Sequence, residues 1–131
     1  QPTSPIRALE DVNALVDMLQ SGKAKSAVSV CDPVQHPREM IKKGVDGNEF
    51  ILSEKFGEQR QQYEKIYFIN GSIYAYSIYD YLNNPGVIYS DTFLYEMSQM
   101  KSIDIDTLVD FALVEIIIKN MDSIKAELLD D

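Results

Sequence analysis

Ser102-Ile103-Asp104-Ile105-Asp106-Thr107 alternates two carboxylates with two isoleucines. Read as a β-strand, the segment puts Asp104 and Asp106 on one face, roughly 6–7 Å apart, and Ile103 and Ile105 in a core. Carboxylates at that separation repel by on the order of 2–3 kcal/mol at an effective dielectric of about 20. A divalent cation offsets such repulsion, and hard oxygen ligands suit Mg²⁺. The same residues admit a plainer reading, in which Asp106 caps the following helix and Asp104 is solvated. Spacing alone favours the plainer reading.

Other residues could also do chemistry. Asn70-Gly71 is either a hairpin turn, for which Asn-Gly is a strong signal, or a place where a ligand approaches the backbone closely. Arg60, within Gln59-Arg60-Gln61-Gln62, is either a surface cation or a clamp for a carboxylate or phosphate, which guanidinium geometry suits. His36 reads as a loop histidine, and Cys31 as a small buried apolar residue.

The elements that must position these residues follow from periodicity. Val12, Leu15, Val16 and Leu19 predict an amphipathic helix over 9–20, with Glu10 and Asp11 at its positive end and Ser21-Gly22 as its stop. Residues 26–31 read as a strand. Helix then strand is half of a βαβ crossover, whose first strand would lie upstream of Gln1. The opening on Gln1 within a turn-like Gln1-Pro2-Thr3-Ser4-Pro5 points the same way, towards a piece of something longer. Residues 32–48 read as loop, 49–53 as a short strand paired across it, and 54–64 as an exposed arm. An extended run over 65–76 is broken at Asn70-Gly71. A helical turn over 77–82 and a strand over 93–97 follow. Residues 107–128 form a helix, opened by a capping-box-like Thr107…Asp110. Its nearly all-round apolar surface predicts burial on more than one side.

Composition narrows the function. At 131 residues, 45% apolar and net charge −9, the chain is one acidic globular domain. Such a surface is ill suited to nucleic acid or anionic membranes. One cysteine and one histidine cannot build a structural zinc site. The single cysteine fits a reducing compartment, and with no signal-peptide pattern or membrane span the expected location is cytoplasmic.

Four segments, in order, carry a resemblance. They are Gln1-Pro2-Thr3-Ser4-Pro5-Ile6-Arg7; Ser29-Val30-Cys31 through His36-Pro37; Arg60-Gln61-Gln62 followed by Asn70-Gly71-Ser72-Ile73-Tyr74; and Ser102 to Thr107 with Asp110. Together they resemble the acylneuraminate cytidylyltransferases, which activate nonulosonic acids with CTP. The resemblance implies an α/β, Rossmann-like nucleotidyltransferase fold, a three-layer α/β/α sandwich with a protruding dimerisation arm over about 33–66. It implies that Asp104 and Asp106 hold Mg²⁺ near the phosphates, and that Arg60 reaches the sugar carboxylate, often in the partner's site of a homodimer. It also implies that Gln1, Asn70 and Tyr74 border the sugar pocket. The family's basic, glycine-containing phosphate loop and its cytosine pocket are not among these residues. Residues 1–131 therefore resemble the C-terminal portion of one such domain, expected to be inactive alone. Glu39 and Phe68 stand where cations are frequent, and Val87 and Ile88 where aromatic residues can occur. That makes legionaminic or pseudaminic acid as plausible a substrate as N-acetylneuraminate. Two other readings are a non-catalytic dimerising α/β module and a cytidylyltransferase for deoxy-octulosonic acid.

Overall fold

A computed structural model describes residues 1–45, 47–52, 63–83, 85–86 and 88–124. The chain divides into two units, Gln1–Cys31 with Ile69–Asp131, and Asp32–Phe68.

The first unit is mixed α/β. Helix α1 (Leu9–Gln20) packs on strand β1 (Ser26–Cys31) through an apolar stripe centred on the fully buried Leu15. It stops where the periodicity predicts, with Gly22 at φ +71° donating to the Leu19 carbonyl (3.0 Å), the left-handed step glycine makes without a Cβ penalty. Every residue of β1 is buried, as befits a central strand covered on both faces.

Strands β2 (Ile41–Lys43) and β3 (Asn48–Phe50) belong to the second unit. They pair antiparallel, with Lys42 opposite Glu49. The loop between them closes through Gly44 N–H donating to the Gly47 carbonyl (2.8 Å). The same unit holds a 3₁₀ turn, Pro37–Glu39, capped by His36, whose Nδ1 accepts from Arg38 N–H (3.2 Å).

Strand β4 (Phe68–Tyr76), helix α2 (Ile78–Asn83) and strand β5 (Phe93–Glu96) follow. The sheet order is β4-β1-β5. β1 and β5 run parallel, with Ala27 opposite Phe93 and Val30 opposite Glu96. The final helix, α3 (Leu108–Lys119), opens on the expected capping box between Thr107 and Asp110.

Four expectations need correction. Ser102–Thr107 is not a strand. Met100–Ser102 is a 3₁₀ turn, and 103–106 belong to no helix or strand. Alternation makes a two-faced ribbon, but a strand also needs a neighbour to accept its ladder. Among the described backbone bonds this stretch makes one to another segment, Ile105 N–H to the Thr3 carbonyl (2.9 Å). Ile103 and Ile105 are accordingly half-buried rather than core. Second, β4 runs unbroken through Asn70-Gly71, because Gly71 adopts φ +71° and the strand continues on both sides. Third, Asp106 is not the cap of α3, since Thr107 supplies the capping oxygen to Asp110 N–H (3.2 Å). Fourth, α3 is not buried on several sides. Val114 is its one buried residue, while Leu108, Val109, Phe111, Ile116 and Ile118 are all exposed. Helix α3 is interrupted at Asn120, which leaves helical geometry; 121–124 are helical again, and the expected end at 128 lies outside the described residues. The arm expected over 54–64 lies almost wholly outside the described residues.

Candidate functional site

Three segments of the first unit converge at the loop that opens the chain. The loop folds on itself. Ser4 N–H closes a turn onto the Gln1 carbonyl (3.4 Å) with Pro2 at its second position, where a fixed φ near −65° is favourable. The Arg7 guanidinium folds back and donates to the carbonyls of Gln1 and of Ser4, the latter at 2.7 Å. Pro2 and Arg7 thus have a structural reason to sit in the Gln1–Arg7 motif: they make the loop rigid.

Strand β4 meets this loop at Gly71. The Gln1 nitrogen donates to the Ser72 carbonyl (2.9 Å). A Cβ placed on Gly71 would lie 3.5 Å from Gln1 Oε1 and 3.7 Å from Asp104 Oδ2. Two polar side-chain atoms, from residues more than a hundred positions apart, therefore point at the same patch of bare backbone. Gly71 is needed there for its left-handed φ, and it also leaves the approach open.

The acidic segment is the third wall. Ser4, fully buried, donates its hydroxyl to Asp104 Oδ1 (3.2 Å). Among the described residues no donor is bonded to Asp104 Oδ2 or to the Asp106 carboxylate, and Asp106 is exposed. Asp110 holds the turn beneath them. Its Oδ2 accepts from Thr107 N–H (2.8 Å), Thr107 Oγ1 (2.8 Å) and Asp106 N–H (3.2 Å). These bonds, the Thr107 hydroxyl first, hold the Asp110 carboxyl below the usual carboxylate range.

Asn70 lies beneath this surface. Its side chain is buried and used in both directions. Oδ1 accepts from Ser29 Oγ (2.6 Å) and Ser72 N–H (3.1 Å), and Nδ2 donates to Ser102 Oγ (2.8 Å). Ser29 Oγ in turn accepts from Ile73 N–H (2.8 Å). Asn70 thus joins β1, β4 and the 3₁₀ turn before Asp104. Ser72, next in the strand, is 1% exposed, and its hydroxyl has no hydrogen-bond partner among the described residues.

The structure therefore brings together Gln1, Asn70 and Asp104 of the residues singled out in the sequence. Asp106 follows on the same segment with its carboxylate in solvent. Tyr74 lies further along β4, 36% exposed, and no bond joins it to this cluster. Arg60 and Val87 lie outside the described residues. Ser4, Ser29, Ser72 and Ser102 stand in the motif segments, but sequence reasoning gave them no role. Their signal was the run of serines inside otherwise apolar segments, but a serine in a strand does not announce which asparagine it will meet.

Carboxylate oxygens are the donors that could hold a hard divalent cation. Asp104 and Asp106 offer carboxylate oxygens free of bonds among the described residues, with no histidine or thiol beside them in sequence. Among the described residues no cluster of three or more acidic, histidine or cysteine side chains could cage a metal. Two carboxylates with the remaining positions left to water and phosphate is the habit of Mg²⁺.

No protein-family model matches the chain. It is similar to the N-acylneuraminate cytidylyltransferase of Streptococcus agalactiae serotype V, at 27% identity over 113 residues, covering 85% of this chain and 27% of that protein. The serotype III protein of the same name matches to the same extent. The post-translational flagellin modification protein B of Campylobacter coli is 25% identical over 119 residues, 89% of this chain and 50% of that protein. The chain thus spans about a quarter of the streptococcal relatives and half of the Campylobacter one. The resemblance carried by the motifs extends over most of the chain.

Proposed function

We propose that this chain, similar over most of its length to N-acylneuraminate cytidylyltransferases, is part of an enzyme that transfers CMP from CTP to a nonulosonic acid and releases pyrophosphate. The observation that carries the reading is the convergence of Gln1 Oε1 and Asp104 Oδ2 over Gly71. It joins three of the four motif segments in one place.

In this reading the sugar's anomeric hydroxyl attacks the α-phosphate of CTP, and pyrophosphate leaves. Asp104 and Asp106 hold Mg²⁺, which when bound offsets the negative charge of the phosphates. The Ser4 hydroxyl occupies Asp104 Oδ1 and leaves Oδ2 facing Gly71. The Gln1 amide stands beside it and orients the sugar. Asn70 sets the height of β4 under the sugar, Tyr74 flanks it, and Arg60 anchors its carboxylate. The fold of the whole enzyme is Rossmann-like with three layers. The separate compact unit Asp32–Phe68 supports reading 33–66 as a dimerisation arm of a homodimer. The 131 residues alone do not turn over, because the family's phosphate loop is not among them.

The test is CMP-sugar formation by the longest natural polypeptide that carries these residues, offered CTP, Mg²⁺ and, in turn, N-acetylneuraminate, legionaminate, pseudaminate and deoxy-octulosonate. Activity with one of the first three, abolished by Asp106→Ala with the circular dichroism spectrum unchanged, is expected. Near-normal turnover of the variant overturns the metal assignment. Turnover of deoxy-octulosonate alone overturns the substrate class.

A further inference from the structure

Asp11 is the one buried charged residue among those described. It sits in the first turn of α1, directly after the loop that carries Gln1 and Ser4. Its Oδ2 accepts from Ala8 N–H (2.7 Å), which serves the helix start in place of a capping side chain. Both its oxygens also take Lys101 Nζ, at 2.8 and 2.9 Å, and Oδ1 takes the Tyr95 hydroxyl at 3.1 Å. Lys101 belongs to the 3₁₀ turn immediately before Asp104.

An ion pair with one partner buried and the other, Lys101, partly exposed is a weak device for stability alone. Desolvation offsets much of the attraction, and apolar replacements often do as well. What this pair does supply is a fixed spacing. Two short segments, 90 positions apart, are tied at Asp11–Lys101. They are tied again at Thr3–Ile105 and at Ser4–Asp104. The last of these bonds sets where Asp104 Oδ2 points. With the outermost tie released, one backbone bond and one 3.2 Å hydroxyl bond are left to set the acidic segment against the opening loop, beside its separate bond to β4 at Asn70–Ser102.

We propose that Asp11 is a positioning residue: its ion pair with Lys101 sets the separation of the Gln1–Arg7 loop from the Ser102–Thr107 segment and so holds Asp104 in place for a divalent cation. The inference rests on the metal reading above. Asp11 touches neither the metal nor the substrate. It acts through Lys101 and the turn to which Lys101 belongs.

Mn²⁺ is the probe, followed by electron paramagnetic resonance on the protein and on four variants. Asp104→Asn is expected to abolish binding. The double variant Asp11→Asn with Lys101→Met keeps an acceptor for Ala8 N–H and leaves no buried charge unpaired. It is expected to melt near the parent temperature yet bind Mn²⁺ about 10–100-fold more weakly, the usual effect of losing an outer support of a metal ligand. Lys101→Arg keeps the charge but not the length of the tie. It is expected to fold and to weaken Mn²⁺ several-fold, and so serves if the double variant does not fold. Asp11→Asn alone, which leaves Lys101 without its partner, is expected to lose both stability and affinity. Equal Mn²⁺ affinity in parent, double variant and Lys101→Arg overturns the positioning role and leaves the metal reading intact. Absence of Mn²⁺ binding in the parent, or binding that survives Asp104→Asn, overturns the metal reading and this inference with it.

Discussion

Asn70 Nδ2 donates to Ser102 Oγ at 2.8 Å, and by this bond strand β4 carries the turn that precedes Asp104. The Ser102 hydroxyl passes the connection on, donating to the Ser98 carbonyl (2.8 Å). The polar core under the candidate site is thus a chain of bonds rather than a set of isolated pairs. In a low-dielectric interior such chains are costly to break at any one link.

Replacing Asn70 tests that chain. Asn70→Ala leaves the buried Ser72 amide without its acceptor and removes one bond each from the Ser29 and Ser102 hydroxyls, which keep the Ile73 and Ser98 carbonyls. The expected loss of stability is on the order of 2–4 kcal/mol, read from urea unfolding. Asn70→Asp restores the acceptor but not the donor. It is expected to recover the Ser29 and Ser72 bonds while leaving Ser102 unsupported, so it should still be less stable than the parent. A variant at parental stability would show that Asn70 is not the link described.

Gly71 separates folding from binding. At φ +71° an L-residue is strained by about 1–2 kcal/mol. The added methyl of Gly71→Ala would also stand beside Gln1 Oε1 and Asp104 Oδ2. A modest fall in melting temperature is expected, with a larger fall in Mn²⁺ affinity. Unaltered affinity would place the cation away from this patch of backbone.

Ser72 gives the opposite sign. A hydroxyl buried without a partner costs free energy, so Ser72→Ala is expected to stabilise the protein by about 1 kcal/mol. Destabilisation of that size in thermal melts would mean that the hydroxyl is satisfied in solution.

How much of this was legible in the sequence depends on the range of the interactions. The stripe through Leu15, the stop at Gly22, the strand over 26–31 and the Thr107–Asp110 capping box are decided within a few residues, and all were readable. The role of Ser102–Thr107 was not. Period-two alternation describes how side chains divide between two faces, while a strand exists only where a neighbour accepts its ladder, and here the neighbour is a loop 100 positions earlier. α3 failed for a related reason. Its apolar surface says that the helix can be covered, and cannot say that these residues supply the cover. Asp11 read simply as a favourable charge at a helix start, which it is. Its second use, on Lys101, has no local signature.

Acid sensitivity follows from Asp11 and Asp110. Burial pushes the Asp11 carboxyl up, but the hydrogen bonds and charge of Lys101, with those of the Ala8 amide and Tyr95, outweigh it and hold it below its usual value. Asp110 is held down by the Thr107 hydroxyl and by the amides of Thr107 and Asp106. A carboxyl lowered in the folded state binds its proton less readily there than in the unfolded chain. Its contribution to stability is therefore present above the unfolded value of about 3.9 and is lost as pH falls through the lower folded value. Stability is expected to hold level from neutral pH to about 4 and to decline below it. Asp110→Asn should flatten part of that decline, and it should do so in the helical circular dichroism signal of α3, because the bonds lost are those that open this helix. Asp11→Asn with Lys101→Met should flatten a further part. An acid transition that is unchanged in both variants would assign the sensitivity to other carboxylates.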